Sequence, residues 1–298
     1  MARVDIIIPT YNRAAVLPET LKSVQAQTFY DWRCLIAEDG ETAATREAVA
    51  PFLQDNRFVY LPGAHAGKPA VPRNRAIRRG DAPFVAFLDD DDLWLPEKLE
   101  HQISFMEQHP QCVLVSSNAY IWNGTAPRDS GLPLYFPSPV SGSISVEVLA
   151  ETDLIINCAA VVRRAVFSQA GLLNEAADLA SCEDYEFWLR IAPLGEVWIL
   201  DTPLAIYRDT PQEGVRAGLS PQATYKKMAC VYDAVLRSYG AMHTPVACPE
   251  NRRRVYLLRN KRDYYLYHAG SFLNWRHAYF RIAAEFRNIC LKVTSFGL

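Results

Sequence analysis

The chain has 298 residues, half of them hydrophobic, and a formal net charge of −2. That length and composition allow one large core or two modest ones, and the charge distribution, an acidic body with a basic tail, is unlike a nucleic-acid binder, whose basic patch serves its main binding face. Its seven cysteines are odd in number and scattered, with no Cys-x-x-Cys, which argues against a disulfide framework or a zinc site and for a reducing compartment.

Residues 5–8 read as a buried strand ended by Pro9. The apolar run from Val4 to Ile8 is too short for the core of a secretory leader. Residues 20–27 continue a helix whose first turn contains Pro18. Strand 32–37 ends at Glu38-Asp39-Gly40. A helix follows over 43–53, then strand 58–61, a short helix over 73–79 and strand 84–88. Residues 97–108 form a helix with Pro96 at its start, and 113–117 form another strand. Strands alternating with helical patterns imply βαβ units and a mainly parallel sheet.

Residues 123–143 are rich in Pro, Gly and Ser and read as a long loop. A strand is expected over 155–162 and a helix over 183–192. Residues 197–200 and 204–207 are expected to form a small additional sheet. Residues 210–221 read as a loop, and the signal from 223 onward is helical. No stretch reaches the ~20 apolar residues of a membrane-spanning helix.

Four consecutive aspartates, Asp89 to Asp92, follow the strand at 84–88. A strand delivers such groups to its C-terminal end, where open α/β sheets bind ligands. Four anions this close repel one another, and a hard divalent cation carried by a phosphate-bearing substrate relieves them. Capping of the following helix accounts for one or two of the four but does not require a run. The EF-hand pattern of alternating acids, then Gly and a distant Glu, is absent. Ser181-Cys182-Glu183-Asp184 fits a capping box before an amphipathic helix. Trp188 reads as core. The six histidines have no ligand spacing and most read as surface or capping groups, and Arg78-Arg79 as a solvated helix end. Gly40, Gly63 and Gly67 do not make a Gly-x-Gly-x-x-Gly loop, which counts against a dinucleotide oxidoreductase.

Val4 to Arg13, Leu21-Lys22-Ser23-Val24, Gln27-Thr28, Glu38-Asp39-Gly40 and Arg73-Asn74-Arg75 form one ordered series. Ala86 to Asp92, Trp94-Leu95-Pro96, Glu183 to Arg190 and Tyr207-Arg208 continue it. Together, across residues 4–208, this series resembles family 2 glycosyltransferases. The resemblance implies the inverting GT-A fold, a Rossmann-like, mainly parallel sheet flanked by helices. It would occupy residues 1–210, with a helical C-terminal extension over 211–298. It also implies roles. Pro9, Tyr11, Glu38 and Asp39 would surround the base and ribose of a nucleotide-sugar donor, with Asp39 the main acceptor for the base. Arg73, Asp89 and Asp90 would bind the donor, Asp91 would ligate Mn2+ or Mg2+ across the diphosphate, and Asp184 would be the catalytic base. The family usually has Asp-Asp where this chain has Glu38-Asp39. Thr210 stands where the family often has a His that adds a metal or phosphate contact.

Glycosyl transfer needs a neutralised diphosphate leaving group and a carboxylate to take the acceptor's proton. The expected activity is metal-dependent transfer to a saccharide or lipid-linked acceptor in cell-surface polysaccharide or glycolipid assembly. The expected location is the cytoplasm, with attachment at the inner face of the cell membrane. A non-catalytic nucleotide-sugar binder with the same fold stands as one alternative. The other is a nucleotidyltransferase, for which the Gly-rich, Lys-containing loop near the start is missing.

Residues 252–298 carry ten Lys/Arg against two Asp/Glu, so the rest of the chain has a net charge of −10. Tyr279, Ile282, Ala283, Phe286, Ile289, Cys290 and Val293 fall on one helical stripe, with Arg276, Arg281, Arg287 and Lys292 beside or opposite it. Such a helix suits an anionic membrane surface, or packs its stripe on the body or on a second copy of the chain.

Overall fold

The computed structural model of the chain describes residues 2–124, 131–138, 140–210, 219–241 and 249–270. The basic stripe expected over 279–293 lies outside the described residues, as do 125–130 and 139 of the expected long loop and 211–218 of the next. The chain divides into two compact units, Met1–Ala217 and Gly218–Leu298.

The first unit begins with β1, Val4–Thr10, all seven residues buried. Helix α1, Leu17–Gln25, starts with Pro18 in its first turn. It buries Leu17, Thr20, Leu21 and Val24, a spacing that places all four on one face. Strand β2, Trp32–Glu38, pairs parallel with β1 from Val4↔Trp32 to Thr10↔Glu38. Helix α2, Ala43–Val49, is capped by Thr42, whose hydroxyl accepts the Thr45 N–H. Strand β3, Phe58–Leu61, adds to β2 in parallel. Helix α3, Ala70–Arg79, leads to β4, Phe84–Phe87, which pairs parallel with the other side of β1. The C-terminal ends of β1, β2 and β4 therefore share one edge, and Tyr11, Asp39 and Asp89 follow directly from them.

Next come β5, Leu93–Trp94, α4, Lys98–Gln108, and β6, Cys112–Trp122. They are followed by β7, Gly142–Ile144, α5, Val146–Glu151, β8, Val161–Arg163, and α6, Ala165–Ala170. Helix α7, Glu183–Ile191, and β9, Glu196–Arg208, complete the unit. The sheet order is β3-β2-β1-β4-β8-β6-β9-β5, with β7 also on β9. The four strands β1 to β4 are parallel, as alternating strands and helices require. Strand β8 enters antiparallel to both β4 and β6, so the sheet as a whole is mixed.

Two expected segments differ. Residues 197–200 and 204–207 do not make a separate small sheet. They are parts of β9, which runs parallel to β6 with register shifts around the Asn118↔Pro203 pair. Pro203 has no N–H to donate, so the ladder slips there without ending. The strand expected over 155–162 is confined to β8. Residues Asn157–Ala159 form a 3-10 turn instead, in which the Ala160 N–H donates to the Asn157 carbonyl at 3.0 Å.

The second unit holds α8, Pro221–Ala241, and α9, Pro249–His268. Tyr232 of α8 stacks on Tyr265 of α9 at 5.6 Å, and Asp233 pairs with Arg262 at 3.3 Å. No helix among the described residues is long and apolar enough to cross a membrane.

Candidate active site

The edge formed by β1, β2 and β4 holds two clusters. At the first, the Asp39 carboxylate is 4% exposed. Its two oxygens accept the N–H groups of Ala66 and Gly67 at 2.7 and 2.8 Å. Gly67 has φ +67°, a conformation that favours glycine. His65 Nδ1 lies 3.1 Å from Asp39 Oδ2, and its ring stacks on Tyr11 at 4.3 Å and 17°. Tyr11 is half exposed, and Asn12 beyond it takes a left-handed φ of 54°. Asp39 thus holds the 65–67 loop so that Tyr11 and His65 form one aromatic platform. His65 is a surface residue, as its spacing suggested, but one that stacks on Tyr11 and borders Asp39.

Glu38, beside Asp39, is fully buried. It accepts bonds from the Tyr60 hydroxyl and from Thr42. Burial pushes its carboxyl up, but these donors outweigh it and the net shift is downward. Pro9 is buried in β1 opposite Ala37.

The second cluster is the aspartate run. Asp89 Oδ1 accepts from Arg73 at 2.6 Å, and both of its oxygens accept from Asn157 Nδ2 at 3.1 Å. Asp90 sits at a carboxyl pKa of about 7, raised by burial and then by Asp91. Asp91 is raised by burial and by Asp89, with Arg13 and Arg208 opposing. Arg13 stands 3.5 Å from Asp91 Oδ2. Asp92 is buried and turned inward, where Oδ1 accepts the Arg208 N–H at 2.7 Å. Arg208 Nε also donates to the Asp91 carbonyl at 2.9 Å, and its guanidinium covers the Trp122 ring at 4.5 Å. Arg208 therefore braces the acidic loop.

Glu183 and Asp184 open α7. Glu183 is 2% exposed and accepts from the other arm of Arg73. Burial raises its carboxyl, with Arg73 opposing. Asp184 is half-buried, and its Oδ1 accepts the Tyr185 N–H at 2.8 Å. Its charge acts on both Arg73 and Glu183. The expected capping box is absent: the N-cap is Cys182, without a side-chain bond, and Ser181 is turned away at φ +75°. Trp188 is core, fully buried with its ring edge against Phe87. Arg73 is the hub. Burial opposes its charge, yet Asp89, Glu183 and Asp184 hold it protonated.

Among the described residues no group of three or more His, Cys, Asp or Glu is placed to hold a metal. Thr210, just past β9, brings no imidazole. The acids still suit a shared cation: burial first, and then the neighbouring aspartates, raise the carboxyl pKa values of Asp90, Asp91 and Asp92. Magnesium and manganese typically take one or two carboxylates and draw the rest from phosphates and water. Asp91 would hold the ion, with Asp89 beside it.

Arg13, His65, Asn157, Glu183 and Arg208 were not singled out from sequence as site residues. Arg13, Glu183 and Arg208 carried a signal, as members of the Val4 to Arg13 segment and of the Glu-Asp and Tyr-Arg pairs.

A curled mixed sheet flanked by helices, with acids at the end of β4, defines the GT-A class of fold. The first 349 residues of Staphylococcus aureus TarS, solved in complex with UDP, superpose with a TM-score of 0.65 at 19% identity, covering 92% of this chain and 73% of that one. A Pyrobaculum calidifontis mannosyltransferase, solved with GDP-Man and Mn2+, gives 0.59 at 17% identity over 97% of this chain and 80% of that one. Residues 5–171 match the model of glycosyl transferase family 2. The chain belongs to that family and is a glycosyltransferase. It is 29% identical over 188 residues to Escherichia coli WfgD, a UDP-Glc:alpha-D-GlcNAc-diphosphoundecaprenol beta-1,3-glucosyltransferase, covering 63% of this chain and 69% of WfgD. It is 26% identical over 201 residues to the putative colanic acid biosynthesis glycosyl transferase WcaA of E. coli K12, covering 65% of this chain and 68% of WcaA. Several rickettsial relatives named as uncharacterized glycosyltransferases are longer, and the chain spans 33% of one from Rickettsia conorii.

Proposed function

We propose that the chain moves a sugar from a nucleoside diphosphate donor to an acceptor hydroxyl, with inversion at the anomeric carbon. The observation that carries this reading is Arg73. It bonds Asp89, just past β4, and Glu183, at the start of α7, and the charge of Asp184, the next residue, acts on the same guanidinium. Residues 1–210 would form the catalytic domain and 211–298 a helical region.

Tyr11 and Pro9 would line the base and ribose site, with Glu38 and Asp39 shaping it through the contacts described above. Arg73, Asp89 and Asp90 would face the donor's sugar and diphosphate. Asp91 would hold Mn2+ or Mg2+, which when bound neutralises the diphosphate as it leaves. Asp184 has one oxygen on its own helix, and its other oxygen would take the acceptor's proton. One base and one displacement invert the centre. A retaining route would favour a covalent carboxylate intermediate.

The names of WfgD and WcaA support an acceptor in polysaccharide assembly, and WfgD's supports a lipid-linked one. We extend that class to this chain, with the cytoplasmic face of the membrane as its place of work. The test is incubation with UDP-glucose, UDP-GlcNAc or GDP-mannose, Mn2+ and a diphospholipid-linked sugar. Transfer with inverted configuration and release of nucleoside diphosphate are expected. Retained configuration or release of pyrophosphate would overturn the reading.

A further inference from the structure

Three buried polar atoms in the wall around Asp89 have no hydrogen-bond partner: Arg73 Nε, Glu183 Oε2 and Asn157 Oδ1. Their side chains are 5%, 2% and 9% exposed. Buried polar atoms are nearly always satisfied, so three orphans on one connected set, in which Arg73 and Asn157 bond Asp89 and Glu183 bonds Arg73, call for a ligand. The Asn157 amide cannot be turned to remove its orphan. Nδ2 donates to both Asp89 oxygens at 3.1 Å, and reversal would set two acceptors against each other. Glu183 and Arg73 are fixed by their mutual bond.

The chemistry of the set selects the ligand. It offers one donor and two acceptors. A phosphate only accepts and would satisfy the donor alone. A hydroxyl both donates and accepts, and neighbouring hydroxyls of a sugar ring match a mixed set. We infer that Asn157, with Glu183 and Arg73, reads the hydroxyls of the donor's sugar and that Asn157 is a specificity-determining residue. This rests on the glycosyl-donor reading above. The 3-10 turn at Asn157–Ala159, where an uninterrupted strand was expected, is what presents that amide to Asp89.

The test is calorimetric affinity, with Mn2+, for UDP or GDP, for whichever of UDP-glucose, UDP-GlcNAc and GDP-mannose binds best, and for its monodeoxy-sugar forms. The proteins are wild type, Asn157→Ala and, to guard against a misfolded variant, Asn157→Ser. Wild type should bind one monodeoxy donor about tenfold more weakly than the parent, one hydrogen bond's worth. In Asn157→Ala that ratio should fall towards one while affinity for the free nucleotide stays within about twofold. Equal ratios in wild type and both variants would overturn the inference. So would an equal loss of nucleotide and sugar nucleotide, which would mark Asn157 as mere support for Asp89. A wild type that binds no nucleotide would overturn the donor reading, and this inference with it.

Discussion

Arg73 and Glu183 stand 110 positions apart in the chain and form a buried ion pair, with the other arm of the same guanidinium on Asp89. One side chain from α3 thus ties the end of β4 to the start of α7.

Replacing Arg73 with Ala leaves Glu183 buried and uncompensated. Removing one partner of a buried pair costs about 3–5 kcal/mol. Urea unfolding should show a loss of that size, and transfer should vanish. Arg73→Lys should recover less than half of the stability, because a point charge cannot bridge two carboxylates as a fork does.

Asp184→Asn keeps the shape and the Tyr185 contact but removes the proton acceptor. Transfer should fall by about 10²–10⁴ in kcat. Affinity for a nucleoside diphosphate should be unchanged by calorimetry. A matching loss of affinity would mean that Asp184 binds the donor.

Asp91→Asn removes the carboxylate proposed for the ion. The Mn2+ concentration that gives half-maximal transfer should rise at least about tenfold, as expected for losing one charged ligand contact. Chelation should silence the wild type, and added Mn2+ should restore it. Activity indifferent to chelation would remove the metal from the mechanism.

Lys98 supplies a pH signature away from the site. It is fully buried, with Nζ donating to Gln102 at 2.6 Å and lying 4.1 Å above the Trp94 ring. Burial lowers its pKa to about 7. The unfolded chain, with an ordinary lysine near 10.5, therefore binds more protons than the folded one between these values. Stability should rise with pH from about 7 to about 10.5 and flatten outside that window, at up to about 1.4 kcal/mol per unit. Lys98→Met should abolish the slope in thermal melts across that range, whereas an unchanged slope would place its origin elsewhere.

Much of the first unit was legible because its strands are short apolar runs and its helices carry one buried face. Strands β1 to β4 follow such runs, and Asp89 to Asp92 end the last of them. Strand β9 was not legible as one element, since Asp201-Thr202-Pro203 looks like a break while the ladder to β6 merely slips there. The site was half legible. Asp91 and Asp184 sit in recognisable motifs. Asn157 is one polar residue inside an apolar run, and nothing local foretells that a turn will aim it at Asp89. His65 has the same difficulty, because only the folded loop sets it against Tyr11 and Asp39.

A crystal structure with a nucleoside diphosphate and Mn2+, the metal located by anomalous scattering, tests the central claim most directly. The manganese peak should lie on Asp91, bridging the two phosphates, with the base against Tyr11 and the free oxygen of Asp184 opening on the same cavity. A diphosphate bound elsewhere, or Asp184 facing a different surface from the metal, would contradict it.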